Sequence, residues 1–146
     1  MAGPSRKRNP FFKNSRAARE ALPRKEIVTC DALGPIRGLL SHATRFGELV
    51  YVQGCTGRDP VTDEVGKAIR DQTRFTLERI KLILEAAGTS LDNVLTNTCY
   101  VTRREYLEGV NEVHGEYLPS ARTAIIVNFG AADNLVEVTS TACIPS

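Results

Sequence analysis

The sequence lacks several features by which major protein classes are recognised. Its 146 residues contain no apolar run that approaches the ~18 residues of a membrane-spanning helix, and no apolar core of a signal peptide. It contains no GxGxxG segment, no phosphate-binding P-loop and no nucleophile elbow. These absences exclude a membrane span. They give no support to a dinucleotide site, a nucleotide-phosphate site or a serine-hydrolase site.

Potential metal ligands are few and scattered through the chain. No two cysteines form a CxxC pair, and the histidines are not spaced as ligands of one metal ion (Cys30, Cys55, Cys99 and Cys143; His42 and His114). We therefore expect no metal site. Single cysteines in apolar runs are typical of reduced, buried thiols, which favours a cytoplasmic protein, although their spacing alone leaves disulfides open. We expect His42 to pack or hydrogen-bond within a strand.

The composition is that of one soluble globular domain, with 42% hydrophobic and 25% charged residues. Residues 1–25 hold eight basic residues and one acidic residue, a net charge of +7. The rest of the chain holds eleven basic and sixteen acidic residues, a net charge of −5. We predict a flexible basic extension over residues 1–24 and a folded domain over residues 25–146. Organelle targeting, or contact with nucleic acid, a membrane surface or an acidic partner, stays open for the extension.

Hydrophobic periodicity predicts the element order β-β-β-α-β-α-β-β. Apolar residues recur every three or four positions through the first helix and before Gly88, a helix-ending residue (Ile69, Thr73, Leu77, Ile80, Leu84 and Ala87). Residues 102–105 match a capping box and Pro119 ends the second helix. The predicted elements are strands at 25–30, 41–54 (two strands), 93–101, 123–129 and 134–144, and helices at 67–87 and from 102. This pattern indicates an α+β fold with one mixed sheet and both helices on one face.

Two charged residues interrupt the last two apolar strands. Arg122 opens one of them and Glu137 lies inside the other. Strict alternation along each strand puts both on the face that the helices leave uncovered. That face is too apolar to stay in water, so we expect a partner subunit to cover it. The pair is interpreted as a structural salt bridge or a rim charge, with an anion-binding site as the functional alternative.

The sequence also resembles a known family over about residues 25–144. Six blocks occur in the family's order, namely GELVYVQG, DP, LEAAGTSLDNVL, VNEVHGEY, SARTAIIV and VEV. They are similar to the Rid family, the YjgF-like group of reactive intermediate deaminases, formerly described as endoribonucleases. The resemblance implies a chorismate-mutase-like fold and a homotrimer with a central barrel and three clefts between subunits.

The resemblance also implies an activity and a set of site residues. The activity is cofactor-free hydrolysis of a small imine or enamine carboxylate to a keto acid and ammonia. In this chain Arg122 corresponds to the residue that holds the substrate carboxylate, and Glu137 to the residue that orients water. Gly54 corresponds to the glycine whose backbone supports the substrate, and Asn111 lies beside the same cleft.

The chain departs from the family pattern around the expected pocket. Gln53, Gly54 and Cys55 replace the S-G-Q motif, Leu40 replaces a tyrosine, and Ala124 replaces a cysteine. The arginine and the glutamate are kept while their surroundings change. These departures predict a larger substrate than the small 2-imino acids, and 2-aminomuconate is one alternative.

Two functions of other classes stay open. One is a non-catalytic trimer that binds a small carboxylate or a partner protein as a regulator. The other is action on nucleic acid through the basic extension, which we do not expect because the rest of the chain is acidic.

Overall fold

A computed structural model of the chain describes residues 22–36, 38–117 and 119–146. Most of the predicted basic extension therefore lies outside the described residues. The helices and strands follow the predicted order, with 3-10 turns at Asp31–Leu33, Leu91–Asn93 and Arg104–Tyr106 between some of them. They are β1 (Lys25–Val28), β2 (Ala43–Phe46), β3 (Leu49–Thr56), α1 (Ile69–Ala86), β4 (Val94–Val101), α2 (Leu107–Tyr117), β5 (Ala121–Ile126) and β6 (Val136–Cys143).

The strands form one six-stranded mixed sheet in the order β1-β2-β3-β6-β4-β5. All neighbouring pairs are antiparallel except β4 and β5, which run parallel. A parallel connection needs a crossover long enough to return the chain to the same end of the sheet, and α2 provides it. The α+β class and the mixed sheet predicted from the sequence are confirmed.

The predicted apolar stripe forms the buried face of helix α1. Thr73, Leu77, Ile80 and Leu84 are all buried against the sheet. The helix ends where Gly88 adopts a φ of +84°, a left-handed conformation that residues with a side chain rarely adopt. Periodicity and the glycine stop signal therefore located this helix to within two residues at its start and one at its end.

The predicted capping box at the start of the second helix is wrong. The residue before the turn, Arg103, makes no side-chain cap hydrogen bond. The backbone N–H of Thr102 instead donates to the carbonyl of Leu135, 3.1 Å away. The chain therefore passes through a 3-10 turn first, and the α-helical hydrogen bonds of α2 begin at Leu107.

One face of the sheet packs against the helices. Along β6 every second residue is buried, from Val136 to Ala142, and the residues between them are half-buried. The predicted alternation of β6 is thus confirmed, and it leaves Glu137 on the open face. No helix among the described residues is long and apolar enough to cross a membrane. The described residues also contain no cluster of three or more potential metal-binding side chains.

Candidate functional site

Glu137 lies against Gly54 on the open face of the sheet. Strand β3 pairs with β6, and its register shifts between Val52 and Cys55, which brings the backbone of Gly54 beneath the glutamate side chain. A Cβ atom at Gly54 would lie only 2.0 Å from Glu137 Oε1 and 2.8 Å from its Cδ. Glu137 can adopt this rotamer only because position 54 has no side chain, and two of the predicted site residues come together.

The environment of Glu137 changes its acidity. The carboxyl group is half-buried, and this burial raises its pKa above the ordinary glutamate value. Desolvation raises the pKa of a carboxyl group because it penalises the charged form. A carboxyl group of this kind accepts and holds a proton more readily than an exposed one, which suits a residue that orients or deprotonates water.

The residues on either side of Gly54 have different surroundings. Gln53 donates its backbone N–H to the carbonyl of His42, 3.0 Å away. Cys55 points into the core, where burial raises the pKa of its thiol to about 12. A reactive thiolate is therefore excluded. Any contribution of Cys55 to a ligand site would come from its backbone.

His42 has the structural role expected from the sequence. Its ring is buried, and its Nδ1 accepts a hydrogen bond of 3.0 Å from the backbone N–H of Cys30. Burial lowers its pKa, and the positive charge of Arg79 acts in the same direction. The ring is therefore a neutral acceptor that ties the end of β1 to the segment before β2.

A cavity of about 490 Å³ opens beside His42. Its walls are mainly apolar and come from β1 and the segment before β2, with Asp31 as the acidic residue in the lining (Ile27, Cys30, Pro35, Ile36, Leu40 and Ser41 among others). Leu40 and Ser41 also line a neighbouring cavity that reaches Gln53. The predicted pocket residue Leu40, which is exposed, thus lines both cavities, and the second of them reaches the residue before Gly54.

The predicted position of Arg122 on the open face is wrong. Asn97 of β4 is level with Arg122 on β5 and with Ser140 on β6, and Ser140 is buried under the helices. Residues level with one another share a face, so Arg122 and Ala124 lie on the helix side. All six residues of β5 are exposed, so alternation had no burial contrast to reveal its orientation.

On the helix side, Arg122 contacts α2. Its Nη2 donates a hydrogen bond to Asn111 Oδ1, so two more of the predicted site residues come together. Burial raises the pKa of the Cys99 thiol, and the neighbouring Arg122 guanidinium opposes that increase. The guanidinium, which is exposed, thus lies at the edge of the sheet beside the amide of Asn111.

Arg122 and Glu137 do not meet within one chain. Ile125 is the β5 residue level with Glu137, through Tyr100 of β4, and Arg122 lies three residues further along β5. Two strand spacings and three residues separate the two Cα atoms by about 14 Å, on opposite faces. A structural salt bridge between Arg122 and Glu137 of the same chain is therefore excluded.

A buried polar cluster next to Arg122 was not found from the sequence. Asn97 Nδ2 donates to Ser120 Oγ at 2.6 Å and lies 3.4 Å from His114 Nε2, and Ser140 Oγ donates to Asn97 Oδ1. Burial lowers the pKa of His114, and the charge of Arg122 adds to this effect. A sequence signal exists, because Asn97 occupies a buried-face position in the alternation with Cys99 and Val101.

Comparison with known proteins identifies the family. Residues 29–144 match the family described as Endoribonuclease L-PSP. The chain belongs to this family, which is also called the Rid or YjgF family. The L-PSP match covers all elements from β2 to β6 and includes every predicted site residue.

The alignments with the relatives cover nearly the whole length of each relative. A RutC family protein of Pyrococcus horikoshii is 40% identical over 123 residues, which are 81% of this chain and 97% of the relative. The 3-aminoacrylate deaminase RutC of Acinetobacter baylyi is 35% identical with the same coverage of both chains. The crystal structure of RidA from a Psychrobacter species superposes with a TM-score of 0.76 at 31% identity, covering 82% of this chain and 99% of that one. The YjgF-like fold expected from the sequence is thus confirmed.

Proposed function

We propose that this Rid-family protein is a hydrolytic deaminase of an imine or enamine carboxylate, acting in clefts between the subunits of a homotrimer. The observation that carries the proposal is the half-buried carboxyl group of Glu137 held over Gly54 at the open face. The deaminase name of the Acinetobacter relative supports the same reaction class.

The chemistry requires little more than positioning. A protonated imine carbon is already electrophilic, and water adds to it as the C=N π bond breaks. The C–N bond of the resulting carbinolamine then breaks, ammonia leaves with the electron pair, and the keto acid remains. Glu137 would orient the water and take its proton, while the backbone at Gly54 supports the substrate. Such a step uses no cofactor and no metal ion.

The substrate carboxylate would be held by Arg122. Guanidinium binds a carboxylate through two parallel hydrogen bonds, and Asn111 already supports one of its nitrogen atoms. Because Arg122 and Glu137 lie on opposite faces of one chain, a site that uses both requires two copies. The open sheet face, which includes Tyr51 and Ile125, supplies the surface on which copies would pack.

The cavity beside His42 supports a substrate larger than the smallest imino acids. Its volume of about 490 Å³ falls within the range of small-molecule sites, and Ile27, Pro35, Ile36 and Leu40 give it apolar walls. A substrate whose reacting carbon lies near Glu137 would extend its apolar side chain past Leu40 into this space. We therefore propose an imino acid with an apolar side chain as the substrate class, in preference to 2-aminoacrylate. The second carboxylate of 2-aminomuconate is charged, so this alternative fits apolar walls beside Asp31 less well.

The reaction is tested with imino acids generated from L-amino acids by an amino-acid oxidase, together with 2-aminomuconate, by measuring ammonia release above the spontaneous rate. We expect acceleration by the wild type and its loss in Arg122→Ala, with an unchanged oligomeric state. Arg104→Ala, an exposed arginine outside β5, should keep wild-type activity. Absence of acceleration with every compound would refute the deaminase. Binding without turnover would instead support a carboxylate-binding regulator.

The substrate class is tested with the same assay on a size series. The imine derived from leucine or phenylalanine should be hydrolysed with a higher kcat/KM than the imine derived from alanine. Leu40→Ser should reduce this preference, whereas Val61→Ser, an exposed position outside the cavity, should leave it unchanged. Equal rates across the series would contradict the apolar substrate while leaving the deaminase itself supported.

A further inference from the structure

The polar cluster around Asn97 joins three strands and a helix. Asn97 is only 2% exposed, and its side chain connects Ser140 of β6, Ser120 directly before β5, and His114 of α2. Burying so many polar groups is unfavourable unless each has a partner. In this cluster the amide of Asn97 serves as the common partner, so its loss leaves several groups unsatisfied.

The strand that carries Arg122 has few other attachments. Among the described residues, strand β5 is an edge strand that pairs with β4 alone, and every one of its six residues is exposed. A strand of this kind gains little from apolar burial, so its position depends on backbone pairing and on side-chain hydrogen bonds. The 2.6 Å bond from Asn97 to Ser120 fixes the end of β5 that lies two residues before Arg122.

The register places this attachment directly under the arginine. Asn97 is the β4 residue level with Arg122, and both side chains are on the helix side of the sheet. The Arg122 guanidinium is held there by Asn111 of α2, while Asn97 also contacts His114 of the same helix. A shift of β5 relative to α2 would therefore misalign the Arg122–Asn111 pair.

We propose that Asn97 is a positioning residue that fixes β5 against β4 and α2, and thereby sets the affinity of Arg122 for the substrate carboxylate. Asn97 is buried below Arg122 and does not itself touch the substrate. The statement about affinity rests on the proposed function, because it needs Arg122 to bind the carboxylate. The statement about β5 does not, because it concerns the strand alone.

Two variants remove the same hydrogen bond. Asn97→Ala deletes the centre of the cluster, and Ser120→Ala deletes only the partner before β5. Asn93→Ala is the matched control, because Asn93 also donates through its Nδ2, to Thr89 and Ser90, and none of its hydrogen bonds among the described residues reaches β5. Amide hydrogen exchange over residues 120–126 and the KM and kcat for the best imino acid are measured for each protein.

We expect amide hydrogen exchange in β5 to accelerate about tenfold in Asn97→Ala, because the loss of about one buried hydrogen bond changes the opening equilibrium by about that factor. The acceleration in Ser120→Ala should be smaller. KM should rise by a similar factor while kcat stays within about twofold, because carboxylate binding is weakened and the water step is not. Asn93→Ala should change neither quantity. A purely structural role would lower overall stability without separating KM from kcat.

Two results would overturn the inference. Unchanged exchange of β5 in both Asn97→Ala and Ser120→Ala would show that Asn97 does not hold the strand. Faster exchange with an unaltered KM would show that the strand's position does not set the affinity of Arg122. If Asn97→Ala fails to fold, Ser120→Ala alone decides. If the wild type hydrolyses no imino acid, the proposed function fails, and the exchange data still decide whether Asn97 fixes β5.

Discussion

At the scale of single residues, Gly54 is the position on which the rotamer of Glu137 depends. Replacing it with alanine puts a Cβ atom 2.0 Å from Glu137 Oε1, so the glutamate must rotate away or the strands must separate. We expect Gly54→Ala to reduce kcat/KM by about a hundredfold, as displacements of about 1 Å in a reacting group do. The measurement is deamination of the best imino acid at matched protein concentrations.

A second glycine provides the control for Gly54→Ala. Gly115 lies in α2 with no atom within 4 Å of the site of a Cβ. Gly115→Ala should therefore keep full activity and stabilise the fold by about 0.5–1 kcal/mol through helix propensity. If Gly54→Ala is as active as Gly115→Ala, the contact with Glu137 has no part in catalysis.

The raised pKa of Glu137 predicts a pH dependence of stability. Between the ordinary glutamate pKa and the raised value, the folded protein keeps a proton that the unfolded chain has lost. The free energy of unfolding contributed by this residue therefore decreases as pH rises through that window. Glu137→Gln should abolish the decrease, measured by urea unfolding from about pH 4 to about pH 7.

The control for this titration is Glu85→Gln, an exposed glutamate on α1, which should keep the wild-type pH dependence. An unchanged profile in Glu137→Gln would contradict the buried position of the carboxyl group.

The sequence predicted some residue positions well and others badly, for a physical reason. Alternation located Glu137 because β6 lies in the middle of the sheet, where one side of each strand is buried and the other is not. It failed for Arg122 because β5 is an edge strand with both sides exposed. Its orientation follows from pairing with Asn97, a contact between residues far apart in sequence, which no local pattern contains.

At the scale of elements, α1 holds the loop after β3 and the loop before β6 through one residue. Gln72 is 1% exposed, and its Nε2 donates to the carbonyls of Gly66 and Asp133 while its Oε1 accepts from the N–H of Leu135. We expect Gln72→Ala to lower the free energy of unfolding by about 2–4 kcal/mol, because three hydrogen bonds of a buried amide are lost and the carbonyl of the buried Gly66 loses its partner. Urea unfolding monitored by circular dichroism measures the change.

The matching exposed position is Arg74 on the same helix. Arg74 forms an ion pair with Glu116 of α2 at 2.8 Å, and both side chains are exposed to solvent. Arg74→Ala should change stability much less than Gln72→Ala, because exposed ion pairs are screened. Equal effects of the two substitutions would mean that Gln72 does not hold the loop after β3 and the loop before β6.

Element boundaries were predictable where local signals acted alone. The stripe from Thr73 to Leu84 and the left-handed Gly88 define α1 without help from the rest of the chain. The start of α2 was not predictable, because the N–H of Thr102 bonds to Leu135 in a distant segment, and this tertiary contact competes with the local cap. The local sequence thus determines where α1 begins and ends. The start of α2 is determined by a hydrogen bond to a segment far away in the sequence.

At the scale of the whole molecule, the sheet has one face that no helix among the described residues covers. Tyr51 and Ile125 are 45% and 40% exposed there, although they lie on paired strands. A surface with aromatic and aliphatic side chains on a sheet is typical of an interface between subunits. The same face carries Glu137, so assembly and catalysis are expected to be coupled.

The separation of Arg122 from Glu137 leads to the sharpest test of assembly. If a cleft takes Arg122 from one subunit and Glu137 from its neighbour, inactive chains can complement one another. Arg122→Ala and Glu137→Gln should each be inactive alone. Co-expressed in equal amounts, they should regain about a quarter of wild-type activity, because random mixing pairs an intact arginine with an intact glutamate in about one site in four.

The double variant mixed with either single variant should stay inactive, since no site then holds both groups. A site confined to one chain predicts no recovery in any mixture, because every chain carries a defect, so recovery above the single variants separates the two arrangements independently of the substrate used.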